Sequence, residues 1–350
     1  MNKFCSFLGA FVGLAMLSAT ATSSDAVKES LNGVSHKIVH ESYVDGNWEL
    51  VLMNADGSRA KNLTNTSDQN ELYPQVSPNG KQVAFVADAG EGRDTVRSAW
   101  LMDIDGSHRK QIADRGRQPC WSPDGKTVAY LPQEYPKWNV VDYYTKGLEF
   151  YDVVTGKRRP HPNDKLHHLY NPSFSADGKW IVSTVHAGMG FDHAIIVFPV
   201  DGIEVYNLGI HGCRPCMHPS QSKIAWGEDD HTIVLADLDF EEGKPKIGKE
   251  LLRVIVSDKE RKIYHADWSP DGKFVSVSSG PKGEGDPKKK FTHQSACEIV
   301  GVHAKGWDIY AVPVDAGGKV DLLADDDPHA NLTANGQSNK ESDWVSSDGK

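Results

Sequence analysis

Outside its first residues the chain has no apolar run approaching the 18 residues a membrane-spanning helix needs. It also has no long basic tract. With a net charge of −10, and with the Lys288–Lys290 triplet reading as a solvated loop, nucleic acid is not an expected partner. No G-x-S-x-G nucleophile elbow occurs. Cysteine is scarce, five residues in all, and "HGCRPCMH" (His211 to His218) is not a C-x-x-C-H haem site because Met217 intervenes. Cys213 and Cys216 straddle the start of a strand and make a poor zinc pair.

The one apolar run lies in residues 1–21: Lys3, then Phe4 to Leu17, then Ala19 to Ala21 as a small-residue cleavage site. This reads as a secretory signal peptide, with residues 22–35 as a linker, residues 36–350 as the folded domain, and a periplasmic or secreted destination. Cys5 lies far before the cleavage site, so no lipoprotein anchor is expected.

What the remainder has is repetition. "QPCWSPDGKTVAYLPQ" (118–133) joins a Trp, a Pro-Asp-Gly turn and a Val, Ala, Tyr run. Pro123 pre-sets φ, Asp124 can bond its own backbone and Gly125 tolerates positive φ, so the chain reverses between two antiparallel strands. The phrase returns from Tyr73, Asn171, Arg214, His265 and Glu341. Its Trp position falls at Val76, Trp121, Phe174, Met217, Trp268 and Trp344, spaced by 45, 53, 43, 51 and 76 residues. Such periods suit four-strand units, the blades of a propeller. A second hairpin with an Asp-Gly turn, as in "WELVLMNADGSRAKNLT" and "SAWLMDIDGSHRKQIAD", completes each unit as strands A, B, C and D. The first unit starts at a B strand, and "ESDWVSSDGK" supplies an A strand with nothing after it. The expectation is an all-β, six-bladed propeller of four-stranded antiparallel blades, closed by the C-terminal strand completing the first blade.

The phrase P-x-W-S-P-D-G-K-x-[IV]-A-[FY], followed by D-x-D-G and L-T, resembles the WD40-like repeat of TolB-type six-bladed propellers across about residues 37 to 350. That resemblance implies fold more than function, because related propellers serve Tol-Pal envelope docking, peptidases and oligogalacturonate lyases. The hundred-residue α/β domain that precedes the TolB propeller has no counterpart here.

Strand direction puts the A–B and C–D turns on one face and the D–A and B–C loops on the other. The loop face carries the long insertions, including Tyr135 to Tyr144 and His293 to Trp307, and long loops on a rigid scaffold are where binding resides. Three residues before each Trp position, strand A enters from this face beside the central channel. Tyr73, Gln118, Asn171, Arg214, His265 and Glu341 thus form a polar ring, fit for a small polar ligand, one with a carboxylate included. Ten of the fifteen histidines also map to loop-face connections. His186, His211, His265 and His303 lie nearest the channel and are candidates for a divalent metal, Mn, Zn or Ca, although no spacing-defined signature joins them. For the four cysteines left after signal cleavage, geometry allows a bridge only between Cys213 and Cys297, the alternative being four free thiols.

Three functions remain open. They are a non-enzymatic exported binding or scaffold propeller for a small polar ligand, glycan or envelope protein; a metal-dependent carbohydrate-active enzyme of the oligogalacturonate-lyase kind; and a Tol-Pal-like docking protein. A monomer without a membrane span is expected in each.

Overall fold

The computed structural model describes residues 23–90, 95–134, 144–241, 243–282 and 303–347. Six sheets, each a blade, follow one another along the chain. Blade 1 is made of Asn339–Val345, Lys37–Val44, Asn47–Asn54 and Lys61–Asn62, and blade 2 of Gln69–Val76, Gln82–Ala89, Val96–Asp103 and Lys110–Ala113. Blade 3 comprises Gly116–Trp121, Thr127–Pro132, Glu149–Asp152 and Arg158–Pro160; blade 4 comprises Leu169–Phe174, Trp180–Gly188, Phe191–Pro199 and Tyr206–Asn207. Blade 5 holds Cys213–Met217, Lys223–Asp229, Thr232–Glu241 and Lys244–Ile255, and blade 6 holds Arg261–Trp268, Phe274–Pro281, Asp308–Pro313 and Ala330–Asn331. The C-terminal strand pairs antiparallel with Lys37–Val44, Trp344 opposite Ile38. The ring is therefore closed within blade 1.

The turn in the repeated phrase works as its residues dictate. The Gly125 amide donates to the Ser122 carbonyl at 2.9 Å, Asp124 accepts from Ser122 Oγ at 2.6 Å and from the Lys126 amide at 3.0 Å, and Gly125 has φ 68°. The Trp has a separate task. Trp121 Nε1 donates to the carbonyl of Gln75 in blade 2 at 2.9 Å, and Trp268 Nε1 to that of Cys216 in blade 5 at 3.3 Å. Each indole fills the seam with apolar area and also stitches it with a hydrogen bond.

Both faces of a blade are covered by neighbours, so the strands read as apolar runs rather than alternating ones. The core is accordingly divided into six large clusters, one at each seam between successive blades. At the closing seam, between blades 6 and 1, Trp344 lies 6.4 Å from the Phe274 ring and donates to Ser276 Oγ at 3.0 Å.

Two features depart from the expected plan. Blade 5 has five strands rather than four, because Gly318–Asp321, which follows the third strand of blade 6, pairs parallel with Lys244–Ile255. Val320 and Leu322 are thereby buried against Leu252, Val254 and Val256, and Ala330–Asn331 serves blade 6. Within the segment read as a linker, Ser23–Asn32 is a helix whose Val27 and Leu31 cover the blade 6–blade 1 seam.

Candidate functional site

Strand A has the same irregularity in every blade. The pairing slips between Leu72 and Gln75, Arg117 and Cys120, Tyr170 and Ser173, Cys213 and Cys216, Tyr264 and Asp267, and opposite His40 and Glu41 in blade 1. At each slip stands one residue of the expected ring. Tyr73, Gln118, Asn171, Arg214, His265 and Glu341 all have positive φ, between 38° and 59°. A non-glycine residue in that region costs about 1 kcal/mol or more. The bulge also frees the following position from the ladder, which is why Pro74, Pro119, Pro172 and Pro215 are tolerated there.

The bulge turns all six ring side chains to a common axial cavity of about 50 Å³. They partner one another. Gln118 Nε2 donates to Tyr73 Oη at 2.7 Å and to Asn171 Oδ1 at 3.3 Å, while the Asn171 amide donates to Gln118 Oε1 at 2.9 Å. His265 Nε2 lies 2.8 Å from Glu341 Oε1. The Arg214 guanidinium stacks over Tyr264 at 4.6 Å and donates to Cys213 Sγ at 3.4 Å. Behind the ring the buried Glu41 accepts the Tyr73 amide at 2.6 Å. Burial, reinforced by the Glu341 carboxylate, holds the Glu41 carboxyl well above the usual carboxylate range.

Two residues further along each A strand a second row faces the axis: Gln75, Cys120, Ser173, Cys216, Asp267 and Asp343. Below it the channel widens into a funnel of about 500 Å³ that opens on the turn face between Pro78, Pro123, Pro219 and Pro270. Asp267 and Asp343, from blades 6 and 1, are hydrogen-bonded to each other. Asp343 also accepts the Val76 amide, Asp267 accepts the Trp268 amide at 2.7 Å, and Cys216 Sγ lies 3.5 Å from Asp267. Desolvation pushes the Asp267 carboxyl up to about 7, and Asp343 is driven well above the usual range by desolvation and by Asp267. Burial and mutual proximity thus favour the protonated forms of the pair.

No family model matches the chain, and no curated protein matches it. Among solved structures it is similar to TolB from Acinetobacter baumannii, at 18% identity and a TM-score of 0.58 over 92% of this chain and 70% of that one. A putative TolB from Agrobacterium tumefaciens superposes with a TM-score of 0.53 at 16% identity, covering 85% of this chain and 89% of that one. A chain of a nidogen/laminin complex gives 0.56 at 10% identity, with 89% and 99% covered. The chain has a TolB-like propeller fold. Among the described residues of this propeller no helix is long and apolar enough to cross a membrane.

The loop-face histidines are spread over the TolB-like ring. His265 is in the channel on Glu341, and His186 meets His193 across the blade 4 hairpin, their Nδ1 atoms 3.1 Å apart. His211 precedes blade 5, its carbonyl accepting Trp226 Nε1 at 3.1 Å, and His303 packs on the Tyr43 ring at 4.3 Å. Among the described residues no three His, Cys, Asp or Glu side chains are arranged to hold a metal ion. Of the two expected wall loops, residues 135–143 and 283–302 lie outside the described residues. Tyr144 stands edge-on to His168 at 5.5 Å, and the buried Trp307 donates to the Pro281 carbonyl at 3.1 Å.

Cys297 also lies outside the described residues. Cys120 and Cys216 share the second row in blades 3 and 5, with blade 4 between them, and burial raises both thiols. In the native protein both are expected to resist alkylation and to alkylate once it is unfolded. A Cys120–Cys216 bridge in a non-reducing peptide map would contradict this placement; a crosslinked Cys213–Cys297 peptide would establish the other pairing.

Sequence reasoning found the ring and missed the acids beneath it. Asp267 and Asp343 could have been read from the column before the Trp, "HADW" and "ESDW", where Cys120 and Cys216 also stand. Nothing in the sequence marks Glu41, whose role depends on the neighbouring blade.

Proposed function

We propose that this chain is an exported, non-enzymatic binding propeller that recognises a small polar ligand, or a polar group on a glycan or protein partner, at the loop-face mouth of its channel. The observation that carries the reading is the ring itself: six polar side chains, each on left-handed backbone, all turned to one axis. Such strain is retained where the surrounding structure makes use of it. The ring also offers both charge signs, Arg214, His265 and Glu341 standing on the successive blades 5, 6 and 1, and so suits a group with donors and acceptors. Likeness to TolB structures supports a binding or scaffold role. Export rests on Lys3, the Phe4 to Leu17 run and Ala19 to Ala21.

The test is a thermal-shift screen against small hydroxy acids, uronic acids and short oligosaccharides. A ligand at about 100 times its Kd should stabilise the protein by about 2.7 kcal/mol. Arg214→Ala is expected to melt within a degree or two of the parent, because only the ring's side chains change, and to lose that stabilisation. A variant that keeps the full shift would place the ligand elsewhere.

A further inference from the structure

We propose that the tip of the blade 4 hairpin, His186 to Phe191, is an acid-released latch: it closes on the rim of the blade 3–blade 4 seam through contacts that require uncharged imidazoles, and it opens when these protonate. The device is separate from the channel and does not rest on the reading of the ring as a ligand site.

The tip is strained and tightly seated. Trp180–Gly188 and Phe191–Pro199 meet at the turn Met189-Gly190, with φ of 56° and 84°, and the non-glycine Ala187 just before it is also left-handed, at φ 49°. Such a backbone persists only where the surrounding contacts impose it. Here histidines impose it. The Met189 amide donates to His167 Nε2 at 3.0 Å, and the Ala187 carbonyl accepts from His168 Nδ1 at 2.8 Å. His186 and His193, directly opposite each other in the ladder, bring their Nδ1 atoms to 3.1 Å. A Cβ on Gly188 would lie 2.7 Å from the His167 carbonyl oxygen, so no space separates the tip from its seat.

Two of these contacts specify charge. His167 Nδ1 lies 2.7 Å from the Lys165 carbonyl and carries the proton, so Nε2, which accepts the Met189 amide, is bare. A second proton would set Nε2–H against the Met189 N–H. His193 Nε2 donates to the Gly212 carbonyl, ahead of blade 5, at 2.9 Å, so in the neutral ring its Nδ1 accepts the proton of His186 Nδ1. With both rings charged, two N–H groups would meet there. His168 differs, because its acceptors are a carbonyl and, at 3.1 Å, the Glu134 carboxylate; charge strengthens that contact.

The surroundings favour the uncharged latch near neutrality. Burial lowers the pKa of His186, His193 and His168 add to the effect, and Asp192 on the same hairpin opposes it. Among the described residues no carboxylate bonds His167 or His193. The other groups facing the tip are Lys146, Asp164 and Lys165, which line one rim cavity with Met189, and the rings of Tyr144 and Tyr170, at 5.5 Å from His168 and 6.4 Å from His193. Closure is therefore complete above the range in which imidazoles titrate and is lost as pH falls through it.

Opening is confined to the tip, since Val185 and Ala194, the next pair inward, are buried in the blade. Met189 packs on the apolar core of the blade 3–blade 4 seam and walls the rim cavity, of about 610 Å³, together with Leu166, Ile203 and Val205. Release lifts Met189 from that wall.

The test is amide hydrogen exchange of residues 186–191, corrected for intrinsic rates, at pH 7.5 and pH 5.0, with the central strand Gln82–Ala89 as reference. Protection of the tip is expected to fall about tenfold or more in acid while the reference is unchanged. In a double variant, His167→Gln with His193→Asn, amide oxygens replace the two accepting nitrogens and cannot charge, so tip protection should no longer depend on pH. Circular dichroism melts verify that this variant folds, and the wild-type comparison decides on its own if it does not. Equal tip protection at both pH values overturns the proposal. An acid loss that persists in the folded double variant, or one that Gln82–Ala89 shares equally, overturns it as well.

Discussion

Removal of residues 340–350 is expected to abolish the cooperative melting transition of the intact protein, or to lower its midpoint by more than about 10 °C. A terminal segment of this length ordinarily costs little. Here it is an inner strand. The deletion removes all but the first residue of a strand paired with Lys37–Val44, the Trp344 indole on Phe274 and Ser276, and the Asp343 carboxyl that receives the Val76 amide. Truncating one buried Trp already costs about 3–5 kcal/mol, against a total stability of about 5–15 kcal/mol for a typical domain. The deletion also bares a strand edge at the centre of the ring. Circular dichroism melts of the two proteins check this: midpoints within a degree or two of each other would mean that the ring is not closed by this strand.

Asp343→Asn is expected to stabilise the protein in alkaline buffer. Asp267 and Asp343 have folded-state values above those of the unfolded chain, so the fold favours their protonated forms. Stability from them is fully present below the ordinary aspartate value near 4. It is lost as pH rises through the folded values, about 7 for Asp267, its partner Asp343 being raised as well. Glu41 and Glu71, the latter near 7, act in the same direction. Buried His40 and His218, both lowered to about 4, act oppositely, adding stability as pH rises from about 4 to 6.5. The two families offset one another in acid, and above neutrality the histidine contribution is complete while the carboxyls continue to titrate. Asparagine keeps an acceptor for the Val76 amide, donates to Asp267 and cannot ionise. The melting temperature of the variant minus that of the parent should therefore grow from near zero at pH 5 to the equivalent of a few kcal/mol at pH 9. A difference that stays flat across this range would show that folding does not raise the two carboxyls.

The repeated turn was the most legible part of the fold, because Pro, Asp and Gly act through their own backbones and need no neighbour. The A strands were nearly as clear, and with them the closing partnership of Trp344 and Ile38 and the inward ring. Where the sequence misled, the deciding contact was non-local. "GGKVDLL" looks like a fourth strand for blade 6, yet the edge of the long Thr232–Ile255 hairpin in blade 5 offers Val320 and Leu322 a better apolar surface. Ser23–Asn32 has only two buried apolar side chains, too few to announce a helix without the seam it covers. Asp267 and Asp343 escaped notice because Asp in a strand reads as solvent-facing. Only the ring geometry makes Asp267 meet Asp343 across a blade boundary.

The proposed loop-face site takes Glu341 from the closing strand, and the paired carboxyls below it take Asp343, so each arrangement exists only if that strand is docked. The most direct measurement is native-state amide hydrogen exchange across Asn339–Val345. With the ring closed, the amides that donate to Lys37–Val44 should exchange only through global unfolding, as slowly as the amides of the central strand Gln82–Ala89. Exchange at the rate of an unstructured tail in otherwise protected protein would contradict the closed propeller and the ring built on it.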